Sequence, residues 1–242
     1  MIVIQYFLSV IFIVSMYVSL AVFGLLGAIP ALLSRNATYW IIRKFCGSVI
    51  WLARVLCGLK VEQRGPIPTG NVVVASKHQS FFDVILHTYY LPNVNFVMKQ
   101  ELKYVPIIGF YAARIGAAPV KRGQKSKAVK QMMSGVAKSG GETQLVIYPQ
   151  GTRVAPGKSM PYKVGAAVIC QRMKRPAVMA ATNVGMFWPK RSLLRKRGVA
   201  VLEYFEPVTA DMALSEFVAY MEETIETASD KLMAEAGFIK GE

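Results

Sequence analysis

From Met1 through Ser34 no side chain carries a charge, and the stretch from Ile2 to Leu33 is dominated by Ile, Val, Leu, Phe and Ala. A helix needs roughly 20 apolar residues to cross a bilayer, so this run is long enough to span one or to lie embedded in it. A secretory signal peptide fits poorly, because no Lys or Arg precedes the apolar run and the run is too long for an h-region. Pro30 is expected to end or kink the helix near its C-terminal side. A second helical stretch, Thr38 to Leu59, is apolar but carries Arg43, Lys44 and Arg54, with Trp40 and Trp51 suited to a membrane interface. Arg35, Arg43 and Lys44 place that end, and everything after it, on the cytoplasmic side. One span and two helices dipping into a single leaflet both satisfy this pattern.

The remainder has room for one α/β domain of ordinary size, because the whole chain is 242 residues long. The division expected is a membrane-embedded helix or helix pair over 1–60 and a single domain over 61–242. With 53% hydrophobic and 18% charged residues the chain is neither disordered nor a fully water-exposed monomer. Its formal charge of +15 points to an anionic partner, and the charge is uneven. Residues 1–206 hold 27 basic and 6 acidic side chains, whereas 207–242 hold 2 and 8. The acidic tail reads as one amphipathic helix, with Leu214, Phe217, Val218, Met221, Ile225 and Leu232 at helical spacing and Gly237 as its stop. Three scattered cysteines and two histidines exclude a disulfide scaffold and give no zinc-site spacing, so no metal is expected and the thiols read as buried in a reducing compartment.

Beyond Pro66, β-rich runs at Asn71–Ser76, Val94–Met98, Gln144–Tyr148, Ala177–Thr182 and Val199–Phe205 alternate with helical stretches. In open α/β sheets ligands bind at the strand ends, so the turns after these runs are the places to look. The first turn reads Ser76-Lys77-His78-Gln79-Ser80-Phe81-Phe82-Asp83. On one continuous helix His78 and Asp83 would lie about 140° apart. They meet only if His78 sits in the turn and Asp83 in the first helical turn, where the carboxylate would fix the imidazole tautomer and leave the other nitrogen as a general base. Ser80-x-x-Asp83 is equally a capping-box pattern, in which Asp83 serves backbone amides alone. His87, on the helix that follows, reads as a packing or surface residue.

No nucleophile elbow, Walker loop, dinucleotide fingerprint or zincin motif is present. A base without an enzyme nucleophile fits direct attack by a substrate hydroxyl. After the apolar run Gly116 to Val120 comes Lys121-Arg122, with Lys125, Lys127 and Lys130 close behind: a solvated helix face, or a fixed guanidinium at Arg122 that suits a phosphate. After Leu145 to Pro149 come Gln150, Gly151, Thr152 and Arg153: exposed amides, a hydroxyl and a cation within four residues, an anion pocket or a plain turn. The cluster Trp188, Lys190, Arg191, Arg195, Lys196, Arg197 suits anionic headgroups, with a solvated loop as the alternative. No nucleic-acid-binding module is recognisable.

His78-Gln79-Ser80-Phe81-Phe82-Asp83, then Gly116 to Arg122, then Tyr148-Pro149-Gln150-Gly151-Thr152-Arg153, together resemble the bacterial lysophosphatidic acid acyltransferases, the 1-acyl-glycerol-3-phosphate O-acyltransferase family. The resemblance covers about Gly65 to Pro207 and includes Tyr162-Lys163-x-Gly165 and Asn183. It implies a glycerolipid acyltransferase-like α/β domain with a central mixed sheet flanked by helices. By resemblance, His78 is the catalytic base and Asp83 its orienting carboxylate, and Arg122 and Arg153 hold the acceptor's phosphate; Gln150, Gly151 and Thr152, in the same anion pocket as Arg153, complete the candidate substrate-binding residues. It further implies no bound cofactor, with acyl carrier protein or acyl-CoA as donor, a lysophospholipid as acceptor, and a bacterial inner membrane location with the domain facing the cytoplasm. The family usually has Glu where this chain has Gln150, and Pro in its fourth motif where Met179 aligns. The departure at Gln150 leaves another lysolipid, such as a lyso-aminolipid, as the alternative acceptor, and a non-catalytic basic lipid-binding protein as the alternative outside enzymes.

Overall fold

The structure is a computed structural model that describes residues 2–120, 133 and 141–239. The charge-free N-terminus forms helix α1 (Ile2–Leu26), followed by a short α2 (Ala28–Leu33) and by α3 (Arg35–Cys57). Ser34 caps α3 by accepting a hydrogen bond from the Ala37 amide, and Gly58, left-handed at φ 67°, ends it. The break in the first apolar stretch falls at Gly27 and not, as the sequence implies, at Pro30. A side chain at Gly27 would collide with the Phe23 carbonyl, Ile41 and the Tyr111 hydroxyl. Pro30 sits in the first turn of α2, where its missing N–H costs nothing.

Helix α1 packs along the rest of the molecule at both ends. Near its start the Gln5 amide donates to the carbonyls of Cys57 and Arg195, and near its end the Tyr111 hydroxyl donates to the carbonyls of Phe23 and Gly24. Phe12 and Met16 enter the core, while Ile4, Val14, Leu26, Ile29, Leu33, Trp40 and Trp51 are exposed.

The domain is a seven-stranded mixed sheet, β1 (Leu59–Arg64), β2 (Val72–Ser76), β3 (Val94–Lys99), β4 (Ala118–Val120), β5 (Gln144–Ile147), β6 (Ala177–Thr182) and β7 (Gly198–Tyr204), in the order β1-β7-β6-β2-β5-β3-β4. Neighbours are parallel except β6 and β7, which run antiparallel. The period of two along β2 sets the layers. Val72 and Val74 face α1, α3 and α4 (Phe82–Tyr90), while Val73 and Ala75 face α6 (Gly165–Met173) and α7 (Leu214–Glu235); α5 (Pro106–Ile115) lies between β3 and β4 in the chain. In α7, Phe217, Met221, Ile225 and Leu232 are buried.

Two strands escape the sequence reading. β1 alternates buried and exposed residues and carries charge, as a sheet edge allows, and β4 is only three residues long. Strands β2 and β5 are adjacent, with Val72 opposite Gln144 and Ala75 opposite Ile147. The chain leaves β2 for β3 and later returns to insert β5 between them, so the carboxyl ends of β2 and β5 form the crevice where such sheets bind ligands.

Candidate active site

The end of β2 supplies the first turn. Asp83, wholly buried at the start of α4, accepts three hydrogen bonds at one carboxylate oxygen: from the amides of Gln79 and Ser80 at 2.7 Å each, and from His78 Nδ1 at 3.0 Å. The contacts combine half of a capping box with the imidazole pairing, since Ser80 Oγ accepts from the Phe82 amide and not from that of Asp83. Asp83 reaches back to amides before the helix as a capping residue would, and the same oxygen orients the imidazole. Its other oxygen is buried without a partner among the described residues. With Nδ1 donating to the carboxylate, His78 Nε2 carries the free lone pair. The imidazole side chain is 16% exposed and lies flat on the Tyr148 ring, centroids 3.8 Å apart. Ser80 fixes the turn further by donating to the Trp188 carbonyl at 2.6 Å. Trp188 packs against Phe12 of α1 and Phe82 of α4, so the N-terminal helix abuts the turn that holds His78.

The end of β5 supplies the second turn. The Val154 amide donates to the His78 carbonyl at 2.8 Å, which locks the two turns side by side. Gly151 is left-handed at φ 69°, and a side chain there would strike Lys163 Nζ, so the ammonium of Lys163 lies directly over the loop. Gly151, Thr152 and Arg153 are partly exposed. Among the described residues the Arg153 guanidinium has no hydrogen-bond or ion-pair partner, so two cations stand by one loop. Gln150 differs from the sequence expectation. Its side chain is turned inward, 1% exposed, and donates to Glu226 and the Met160 carbonyl, so it supports the loop from beneath.

Arg122 lies outside the described residues. Val120, which precedes it, ends β4, and β4 is three places from β2 in the sheet, about 14 Å at the usual strand spacing. The basic cluster at 188–197 is not uniformly exposed. Arg195 is buried with its guanidinium 4.2 Å above the Trp188 ring, and burial lowers its pKa to about 10. His87 is buried between Ser76 Oγ and Tyr204 Oη, 2.9 Å from each, the packing role the sequence allowed. Cys46, Cys57 and Cys170 are buried free thiols.

Sequence reasoning missed Lys163, named there only within a motif, along with Lys77 and Glu226. Lys163 and Glu226 look like ordinary surface charges in the sequence and only the fold brings them to the two turns; Lys77 lies in the first turn already, and what the fold adds is its burial and its ion pair with Glu226.

A family profile described as acyltransferase matches residues 58–181 of this chain, just over half of it. The 1-acyl-sn-glycerol-3-phosphate acyltransferase of Pseudomonas aeruginosa is 32% identical over 168 residues, which cover 66% of this chain and 64% of that one. The protein of the same name from Helicobacter pylori is 31% identical over 158 residues, covering 63% of this chain and 67% of its own. The crystal structure of the 1-acyl-sn-glycerophosphate (LPA) acyltransferase from Thermotoga maritima superposes with a TM-score of 0.79 over 95% of this chain and 97% of that one, at 20% identity, a likeness of fold. The profile match takes in both the His78 turn and the Arg153 loop, and on it, together with these relatives, the chain belongs to the acyltransferase family.

Proposed function

We propose that this protein transfers an acyl group from an acyl thioester, carried by acyl carrier protein or coenzyme A, to the free hydroxyl of lysophosphatidic acid, giving phosphatidic acid. The observation that carries the reading is His78, held at Nδ1 by a buried carboxylate and open at Nε2, beside a loop with two cations. Nε2 takes the hydroxyl proton as the oxygen attacks the thioester carbonyl. The carbon–sulfur bond then breaks, and the proton passes from the imidazolium to the leaving thiolate. Asp83 stabilises the imidazolium meanwhile. The reaction involves no change of oxidation state and needs no bound cofactor. Arg153 and Lys163 are placed to hold the acceptor's phosphate, with Arg122 assigned the same duty by resemblance.

The protein is proposed to work at a membrane, in a bacterium the cytoplasmic face of the inner membrane. Helix α1 is tied to the domain at both ends, which favours a helix lying in one leaflet over one that leaves the domain to cross the bilayer. Its exposed apolar residues would face lipid and bring the site to the surface where the acceptor resides.

The test is an assay of the purified full-length protein in detergent micelles, with labelled acyl-CoA or acyl carrier protein and a panel of lysolipids. Acylation of lysophosphatidic acid is expected, and Arg153→Ala should weaken the acceptor's apparent affinity roughly tenfold to a hundredfold, the size of a lost charge-assisted hydrogen bond. Activity confined to a lyso-aminolipid would overturn the acceptor assignment, and inactivity on every lysolipid would overturn acyl transfer.

A further inference from the structure

Lys77 is the residue before His78, yet it points the other way and is 1% exposed. Its ammonium forms an ion pair with Glu226 Oε2, from the C-terminal helix α7. The second oxygen of the same carboxylate accepts from the Tyr162 hydroxyl at 2.8 Å and from the Gln150 amide at 3.3 Å. Burial first, and then the neighbouring carboxylates, push the Tyr162 pKa upward, so its hydroxyl stays a donor. One carboxylate thus ties three segments, and each tie falls one residue from a group in the site. Lys77 adjoins His78, Gln150 adjoins Gly151, and Tyr162 adjoins Lys163.

From this geometry, and resting on the acyl-transfer reading above, we infer that Glu226 is a positioning residue. Its carboxylate sets the register between the base on the first turn and the cations that hold the acceptor on the second. In direct contact with the Glu226 carboxylate are one cation, Lys77, and two neutral donors, so the charges that touch cancel, while Glu222, one turn earlier on α7, accepts from the Tyr162 backbone amide at 3.4 Å. That balance matters because an unpaired charge in a nearly closed site is costly, and the site relieves it by moving. A shift of the turns by a fraction of an ångström would misplace His78 relative to the acceptor. The departure at Gln150 then has a physical meaning. A neutral side chain stands there because the anion of this cluster enters from α7. A carboxylate at position 150 would face Glu226 and the Met160 carbonyl with no proton to share.

The experiment is a charge exchange in the full-length protein in detergent micelles. Glu226→Gln, Gln150→Glu and the double variant are compared with wild type for kcat, acceptor KM, donor KM and melting temperature, with kinetics read below the melting range of all four. Each single change should reduce kcat over acceptor KM by roughly tenfold to a hundredfold with donor KM unchanged. The double change restores the charge balance and should recover activity to within about threefold of wild type. Single variants that lose melting temperature but keep wild-type kinetics, or a double variant no better than the worse single, would overturn the inference. Should Glu226→Gln fail to fold, Lys77→Met with Glu226→Leu removes both charges together, and unchanged kinetics in that variant would equally overturn it, whereas a raised acceptor KM in a folded protein would support it. A wild type inactive on every lysolipid overturns the acyl-transfer reading and this role with it, while an active wild type with indifferent single variants overturns the role of Glu226 alone.

Discussion

His78 and His87 belong to one strand, turn and helix, and the Tyr148 ring lies near both, 3.8 Å from the first imidazole and 6.2 Å from the second. His78 meets a carboxylate on one side and the opening of the crevice on the other. His87 meets two hydroxyls and no solvent, and burial, reinforced by His78, lowers its pKa to about 3. Ser76 Oγ donates to the Lys77 carbonyl, so it accepts from His87 Nε2–H, and the Tyr204 hydroxyl donates to Nδ1. One imidazole is paired with a carboxylate and reaches the crevice, and the other is kept neutral by burial. Residue type supplies the same group twice, and the surroundings decide which one can do chemistry.

The contrast is broken most directly by removing each histidine in turn. His78→Ala should lower kcat by roughly 10²–10⁴-fold, the range of general-base catalysis, in a protein that remains folded, because Asp83 still accepts from the Gln79 and Ser80 amides. Asp83→Asn is next. The amide oxygen can still accept from the Gln79 and Ser80 amides, so the fold should hold, but the imidazole loses the anion that stabilises its protonated form and kcat should drop by about a hundredfold. Near-wild-type turnover in Asp83→Asn would leave capping as the only role of that carboxylate. His87→Ala should act on stability instead. It leaves the Ser76 and Tyr204 hydroxyls short of a partner, at about 1–3 kcal/mol for each group left unsatisfied, in addition to the cavity. A folded His87→Ala variant with kcat reduced as far as in His78→Ala would erase the distinction.

Acid titration sharpens the same comparison. The folded pKa of His87 lies below the unfolded value of about 6.5, so above that pH both states are neutral and the residue contributes no slope. Below it the unfolded chain takes up a proton that the folded chain refuses, and stability falls by about 1.4 kcal/mol per pH unit until the folded group titrates near pH 3. Denaturant midpoints measured from about pH 7 to pH 4.5 should show this loss, and His87→Gln, which keeps a hydrogen-bonding side chain without a titrating one, should remove that part of the slope.

The parts of this site that were legible in the sequence are those made within a few residues. His78 and Asp83 are close enough in the chain for strand, turn and helix geometry alone to bring them together, and the alternating valines of β2 declare a buried strand. The parts that were not legible are made by distant segments. Nothing near Gln150 announces that Glu226 will lie beside it, and Lys77 reads as a surface charge until α7 covers it. Arg195 likewise looks like one of a basic run, but Trp188 and the start of α1 enclose it. The N-terminal stretch was legible as apolar and helical from its lack of charge. Its attachment at both ends depends on Gln5 and Tyr111, whose partners lie far along the chain.

The smallest effect concerns the ring between the two histidines. The Tyr148 hydroxyl is buried without a partner among the described residues, and burial, followed by the charge of Asp83, raises its pKa well above the ordinary value, so it remains a protonated donor with nothing to donate to. If the ring serves only as the surface on which His78 rests, the hydroxyl is a liability, because a buried polar group without a hydrogen bond opposes folding. Tyr148→Phe keeps the stacked face at 3.8 Å and removes that group. The variant should be as stable as wild type or more stable, by up to about 1 kcal/mol in denaturant titration, with kcat within about twofold. A drop in kcat of about tenfold or more, with stability unchanged, would require the hydroxyl to act in the reaction. Tyr148 would then join His78 in the chemistry, and the buried side of the ring could no longer be regarded as inert.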